Sequence, residues 1–373
     1  MRTKRLINKI RAIALTLLAA LVLLVLAFGA GGQDDRLTDK HPKVQHVIGI
    51  QEAVTPVIMA MEDVLGTAVG LDNDGEVTLV VYVNLEGKNP AKTARDLPVM
   101  IGDARVSVEV TEPFRAMQGK GGSNKPSGRV SHTAKQTPPI QLGTSGGWRY
   151  DLANGYCCGG TLGSLVHIGG KQYILSNYHV FEADIVAGGN NRVAQQGDPV
   201  VQPGLIDVAC NSSNAQNVAT LSGIKSLPTS NVDAAIAPVI KGMVRTDGAI
   251  LEIGTISAST VAASINQAVK KSGRTTGLTR SVVTGLNATV SVAYDNECAG
   301  GAAFTKWFTG QIIIQNKGGR FLNSGDSGSL MVEDKTTNPG AVGLLFAGSS
   351  SMAVANPIGQ VLSFFGATMV GNY

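Results

Sequence analysis

Apolar residues recur along this chain with three different rhythms, and each rhythm marks a different stretch. Positions 12–28 are almost uninterruptedly apolar. Residues 30–46 are polar and predict a tether. From Val54 through Val57, Ile58, Met61 and Leu65 the apolar positions recur at helical spacing, with Pro56 tolerated in a first turn and Gly66 closing the helix. Residues 67–71 and 77–83 then predict two strands. Asp72-Asn73-Asp74-Gly75 between them is hairpin-turn chemistry rather than a calcium loop, since no Glu follows at the required spacing. A second helix over 89–97 and a strand over 104–110 complete a small α+β domain at 47–116.

Residues 117–141 break the pattern. Gly119-Lys120-Gly121-Gly122-Ser123-Asn124-Lys125-Pro126-Ser127-Gly128 predicts a flexible linker, with Pro138-Pro139 near its end. From 142 to 373 the pattern becomes short apolar runs separated by Gly, Asn, Asp and Pro. Strands are expected at 161–168, 172–176, 232–238, 282–286, 311–315, 329–332 and 341–346, with 354–366 helical or mixed. This spacing predicts an all-β barrel or sandwich.

The first rhythm changes how the charge is understood. Arg2, Lys4, Arg5, Lys9 and Arg11 precede the apolar run, and Ala27-Phe28-Gly29 offers a small-x-small cleavage site. Residues 1–29 therefore predict an export signal peptide, or a membrane anchor through 12–28 if the segment is retained. The protein is expected to be periplasmic or secreted, and in the second case held at the membrane. The whole chain has 31 basic and 27 acidic residues, net +4. Without the five leading cations it has 26 against 27. The basic balance belongs to the targeting segment, so nucleic acid is not an expected partner.

Composition adds little beyond this. Aromatics are 5% and glycines number 46, which favours turns and β structure. Cys157, Cys158, Cys210 and Cys298 form no Cys-x-x-Cys pair, so neither a metal nor another cofactor is expected. Export permits disulfides, although the adjacent Cys157 and Cys158 are poor partners for each other. Buried free thiols are the alternative.

The chemistry lies in three segments. Ser176-Asn177-Tyr178-His179-Val180, Asn231-Val232-Asp233-Ala234-Ala235-Ile236-Ala237 and Asn323-Ser324-Gly325-Asp326-Ser327-Gly328-Ser329-Leu330 supply His, Asp and Ser in that order. A serine hydroxyl needs an imidazole to take its proton, and the imidazole needs a carboxylate to fix its tautomer. His179 follows an apolar strand. Asp233 is a single carboxylate inside an apolar run and requires a buried partner, with Asp207 in Ile206-Asp207-Val208-Ala209 as its rival. Gly325 permits a tight turn that aims its own N–H and that of Ser327 at one oxyanion.

The strings around these residues resemble the chymotrypsin-fold (trypsin-like) serine peptidases. They are most similar to the bacterial and plant subgroup that includes the narrow-leaf type trypsin-like proteases. Cys158-Gly159-Gly160-Thr161-Leu162-Gly163, Gln202-Pro203-Gly204, Lys271-Ser272-Gly273-Arg274-Thr275-Thr276-Gly277 and Gly325-Asp326-Ser327-Gly328-Ser329 carry that resemblance with the three segments above. It implies an all-β double six-stranded barrel over 142–373, preceded by the small α+β domain. It also implies a serine endopeptidase acting on a protein or peptide through His179, Asp233 and Ser327. His179 and Asp233 would come from the first barrel and Ser327 from the second. A non-catalytic binding module on the same scaffold and an autoprocessing-only protease are the alternatives. Val180 stands where trypsin-type enzymes have Cys. No Arg-Ile-Val-Gly-Gly activation site occurs, so Asp326 lacks the amine that would pair with it.

Phe321 and Leu322 are expected to fill part of a specificity pocket, and Gly348 to leave room for substrate backbone on its strand. Arg274 is expected to hold a tight turn or to contact substrate. The stretch 320–324 contains no carboxylate. Cleavage after Ala, Val or Leu is therefore expected rather than after Lys or Arg, with Glu333 and Asp334 the carboxylates to examine otherwise.

Overall fold

The protein is described by a computed structural model over residues 35–117, 119–120, 130–153, 156–182, 194–294 and 303–373. The segment 1–29, expected to be an export signal or anchor, lies outside these residues. The described chain is mostly β. Its N-terminal part contains helix α1 (Pro42–Ile58), β1 (Val64–Leu71), β2 (Val77–Asn84), α2 (Pro90–Asp96), β3 (Met100–Ile101), β4 (Ala104–Thr111), β5 (Phe114–Ala116) and β6 (Gly119–Lys120). Next come β7 (Thr144–Trp148), β8 (Leu152–Ala153), β9 (Tyr156–Leu162), β10 (Ser164–Ile168), β11 (Lys171–Ser176) and the short helix α3 (Tyr178–Phe181). β12 (Pro199–Gln202), β13 (Gln216–Thr220) and β14 (Ala235–Pro238) follow. The C-terminal part has β15 (Ala268–Gly273), β16 (Gly277–Tyr294), β17 (Phe304–Gln315), β18 (Leu330–Glu333), β19 (Ala341–Gly348), β20 (Met352–Pro357), α4 (Ile358–Phe365) and β21 (Thr368–Met369).

These strands form three sheets. One has four strands in the order β14-β11-β10-β21, and one has six, β13-β12-β7-β9-β6 with β8 on β9. The third has eleven strands and runs β15-β18-β19-β20-β17-β16-β1-β2-β4-β3, with β5 paired to both β16 and β19.

The eleven-stranded sheet corrects the expected domain boundaries. β1 pairs antiparallel with β16, with Gly66 opposite Val290 and Thr67 opposite Thr289. The α+β segment is thus not a free-standing domain at 47–116, because its sheet continues into the C-terminal one. Alternate residues of the β1–β2 hairpin explain why. Ala68, Val80 and Tyr82 enter one apolar cluster, while Val69, Leu79, Val81 and Val83 enter a second. A hairpin buried on both faces needs cover on both sides, which a small domain cannot supply by itself.

Two further boundaries move. The helix begins at Pro42, inside the expected tether, and ends at Ile58, so Pro56 falls in its last turn and not its first. His41 caps it by accepting from the Lys43 N–H, and Val44, Val47, Ile50, Val54 and Ile58 face the second cluster. The expected linker at 117–141 is also not free. His132 is buried, the Ile140 N–H donates to Met243 O at 2.9 Å, and the Gln136 N–H donates to Gln202 Oε1 at 3.0 Å. Polar residues that a sequence pattern assigns to solvent here find partners on the β-sheets instead. Residues 121–129 lie outside the described ones.

The seam between β1 and β16 has no spare volume. A Cβ at Gly66 would lie 2.5 Å from Thr289 O and 3.0 Å from Val290 Cγ1. Gly66→Val should therefore destabilise the protein by about 1–3 kcal/mol, the usual range for overpacking. Thermal unfolding of the variant beside wild type checks this. An unchanged melting temperature would mean that the seam is looser than described.

Candidate active site

The end of β11 carries the chain into α3, and this places His179. The Asn177 side chain fastens that corner by donating to Asp233 O at 2.7 Å. Asp233 itself is fully buried and accepts four hydrogen bonds. Its Oδ1 takes the N–H groups of Tyr178 (2.8 Å) and His179 (3.3 Å). Its Oδ2 takes the Tyr294 hydroxyl (2.7 Å) and lies 2.6 Å from His179 Nδ1. The Asp233 N–H donates to Asn356 Oδ1, and Asn356 donates to Gln311 Oε1. A carboxylate so placed fixes His179 with Nδ1–H toward Asp233 and leaves Nε2 as the free acceptor. The Nε2 is buried and has no hydrogen-bond partner.

Tyr294 was not expected from sequence. It closes an alternating run, Val290, Val292, Tyr294, on the buried face of β16. Its ring stands edge-on to His179 at 5.9 Å and stacks on Phe304 at 4.7 Å. Burial, reinforced by the Asp233 charge, pushes its hydroxyl well above the ordinary value, so it stays a donor.

Ser327 lies on the turn before β18 and is fully buried. Its Oγ donates to Phe346 O at 3.2 Å. Ser327 and His179 are therefore not hydrogen-bonded to each other. They do share a neighbourhood. A Cβ at Gly160 would touch both Val180 and Ser327 O, and Phe346 packs on Phe308, which packs on Tyr294.

The turn that holds Ser327 is fastened from below by Asp326. Its Oδ1 accepts from the N–H groups of Thr275 (2.8 Å) and Thr276 (3.1 Å). Its Oδ2 accepts from Thr276 Oγ1 (2.7 Å) and the Asn323 N–H (3.0 Å). The missing cation is Lys271, whose Nζ lies 3.1 Å from Asp326 Oδ2, with both side chains fully buried. Burial pushes the Lys271 pKa down, and the Asp326 charge opposes that shift. The sequence held a signal for this. In a strand, two consecutive lysines must point to opposite faces, so Lys270 and Lys271 cannot both reach solvent by the same route.

Arg274 and Asp207 are used together. Arg274 Nε and Nη2 form a bidentate pair with Asp207 at 2.9 and 2.6 Å, and Ser145 Oγ donates to the same carboxylate at 2.5 Å. Asp207 is thereby committed away from His179. Arg274 also supports the turn, because its Nη1 donates to Thr275 Oγ1 and the Thr275 hydroxyl donates to Ser324 O at 2.6 Å. Gly325 has φ +97°, a conformation that only glycine adopts easily, and an added Cβ would collide with Thr275 and Arg274.

The expected pocket residues are placed differently. Phe321 and Leu322 are buried in the second apolar cluster rather than standing free in a cleft. Asn316 Oδ1 accepts from both of their N–H groups, at 3.0 and 2.9 Å. Gly348 lies on β19 opposite Arg115 of β5, so that strand edge is already paired. Glu333 pairs with Lys335 at 2.7 Å and Asp334 with Arg280 at 3.1 Å. Cys157 and Cys210 form a disulfide with Cα atoms 5.4 Å apart, and Cys158 is disulfide-bonded as well.

Two measurements test this arrangement. Lys271→Met strands the Asp326 charge in the interior and should cost about 3–5 kcal/mol in urea unfolding. Lys271→Met combined with Asp326→Asn should recover part of that loss, and equal losses for the single and double variants would deny the pairing. Glu182, three residues after His179, supplies the second. Burial pushes its carboxyl from the ordinary 4.5 up to about 7, against the pull of Lys225. The folded state then holds a proton that the unfolded chain has released, so stability falls as pH rises from 4.5 to about 7. Glu182→Gln should remove that fall, matching wild type near pH 4 and melting higher at pH 8. Parallel melting curves across this range would show that Glu182 ionises freely.

The family model described as the Nal1 C-terminal domain matches residues 228–356, a span that includes Asp233 and Ser327 but not His179. Among solved structures, Thermobifida fusca Protease A is 20% identical, covers 62% of this chain and 99% of its own, and has a TM-score of 0.40. A glutamic acid specific serine protease, described as using a novel histidine triad in substrate binding, is 21% identical with coverages of 62% and 100% and a TM-score of 0.39. Cellulomonas bogoriensis chymotrypsin is 18% identical, with coverages of 57% and 91% and a TM-score of 0.36. Comparison with the curated proteins gives no match.

Proposed function

We propose that this protein is an exported serine endopeptidase that hydrolyses peptide bonds through an acyl-enzyme. The observation that carries this reading is the buried Asp233–His179 pair, which leaves His179 Nε2 as an unpartnered base, with the neighbouring Val180 and the Ser327 carbonyl both packed around Gly160. Rotation of the Ser327 hydroxyl from Phe346 O to His179 Nε2 prepares the nucleophile. Its oxygen attacks the substrate carbonyl, and His179 takes the proton and passes it to the leaving amine. Asp233 stabilises the imidazolium. The N–H groups of Gly325 and Ser327 receive the oxyanion.

The scaffold in this reading is a pair of β-barrels. The four-stranded sheet supplies His179 after β11 and Asp233 before β14, and the C-terminal strands of the eleven-stranded sheet supply Ser327. Lys271 takes the part of an activating amine, so the turn around Ser327 needs no new N-terminus to hold it. Export through residues 1–29, with or without anchoring through 12–28, fits the Cys157–Cys210 disulfide. With Glu333 and Asp334 paired elsewhere, the pocket accepts apolar side chains before the scissile bond.

Ser327→Ala and His179→Ala should each lower kcat on a peptide substrate by about 10⁴-fold while melting like wild type. Asp233→Asn should also be severe, and Asp207→Asn should reduce stability more than kcat. A fluorophosphonate probe should label Ser327 in wild type. Lack of labelling together with no hydrolysis across a peptide library would favour a binding module built on the same scaffold. A library profile dominated by Arg or Lys before the cut would overturn the apolar specificity.

A further inference from the structure

The chain's own residues 114–117 and 119–120 lie along the site in the manner of a bound peptide. β5 lies between β16 and β19, parallel to the first and antiparallel to the second, with Ala116 opposite Ala347 and Arg115 opposite Gly348. At its end the Met117 N–H donates to Phe346 O at 3.1 Å. The Met117 carbonyl oxygen accepts from the Gly325 N–H at 2.6 Å. Two residues further on, the chain pairs with a different strand, Gly119 opposite Gly159 and Lys120 opposite Cys158 on β9. Gln118 lies outside the described residues.

Side chains agree with this path. Met117 packs against the cluster that contains Phe321 and Leu322. A Cβ on Gly348 would stand only 3.2 Å from Met117 Cε. Gly119 is buried where a Cβ would lie 3.0 Å from Gly325 Cα and 3.2 Å from both Gly159 O and Ile206 Cδ1, so this position admits glycine most easily. Strand pairing on both sides of one carbonyl, an apolar side chain in an apolar recess and an oxyanion donor on that carbonyl are what a cleavable peptide requires.

We infer that the peptide bond following Met117 is an intramolecular substrate, cut by the protein itself; this rests on the serine endopeptidase reading above. Ser327 Oγ adds to the Met117 carbonyl carbon, and its proton goes to His179 Nε2. The bond to residue 118 breaks as that nitrogen takes the proton and leaves as a free amine. Water then adds to the Met117–Ser327 ester, giving a Met117 carboxylate and the free serine. The pieces on either side of the cut remain joined through the β1–β16 seam.

The test uses the full chain, purified as wild type, Ser327→Ala, Met117→Leu and Met117→Asp, and followed by intact mass and N-terminal sequencing. Wild type and Met117→Leu should convert to two co-eluting pieces, the second beginning at residue 118, at a rate independent of protein concentration. Ser327→Ala should stay whole. Met117→Asp should convert at least about 100-fold more slowly, since its carboxylate must enter an apolar recess. Fluorophosphonate labelling and hydrolysis of a separate peptide are measured on the same samples. If wild type labels and hydrolyses the peptide but the bond after Met117 stays intact, or is cut elsewhere, the inference is overturned and the endopeptidase reading stands. Cutting at 118 in Ser327→Ala also overturns it. If wild type neither labels nor hydrolyses any peptide, the endopeptidase reading falls and this inference falls with it.

Discussion

The buried Asp233 carboxylate is the constraint around which the rest of this molecule is arranged. A bare charge at that depth would be prohibitive, and the chain meets the cost with four donors drawn from separate elements. Two are backbone N–H groups at the start of α3, one is the His179 imidazole, and one is the Tyr294 hydroxyl at the end of β16. Asn356 of β20 holds the residue's own N–H. Strands from different sheets are thereby required to meet at one point. The same requirement sets the orientation of His179, so the demand of burial and the demand of chemistry have a single solution.

Asp326 repeats the solution at the turn that carries Ser327. It too is fully buried, and it too is held by backbone N–H groups and hydroxyls, but its net charge is balanced by Lys271. The consequence is mechanical. Four of its partners belong to the turn 275–276 and to Asn323, so Asp326 binds the Gly325–Ser327 turn to the β15–β16 hairpin. Arg274, locked to Asp207, closes the same corner from outside. The geometry around Ser327 is thus built into the continuous chain.

What the sequence made legible follows from the range of each interaction and from what marks its ends. Hairpins and strand positions depend on neighbours, and the expected turn at residues 72–75 and the strands around 67–71, 77–83 and 104–110 match β1, β2 and β4 closely. His179 and Asp233 could be paired because a carboxylate inside an apolar run needs a partner, and the structure supplies it at 2.6 Å. That pair spans 54 positions, so distance alone does not hide a contact; contacts that no motif marks at both ends were not legible. Tyr294 reaches Asp233 across 61 positions, and Lys271 reaches Asp326 across 55, with no local pattern that names the partner. The helix α1 was misplaced because Gln51, buried and bonded to Asn287 O, interrupts the apolar stripe that would have revealed its start. Residues 130–141 looked like linker because polar side chains satisfied by other side chains cannot be told, from composition, from ones satisfied by water.

The sheet seam and the site are parts of one arrangement. Once β1 is paired to β16, the parallel pairing of β2 with β4 fixes where β4 ends, and β4 ends beside the loop that follows β19. There Thr111 bonds Ser349 and Ser351, and Glu112 accepts from Ser350. The next residues run on as β5, between β16 and the end of β19. The small side chains at 347–351 therefore do more than line a recess. They let an incoming strand sit close enough to pair, and the strand that arrives is the chain's own. A segment read from sequence as a separate small domain is, in physical terms, the device that carries Met117 to Gly325 and sets its carbonyl there.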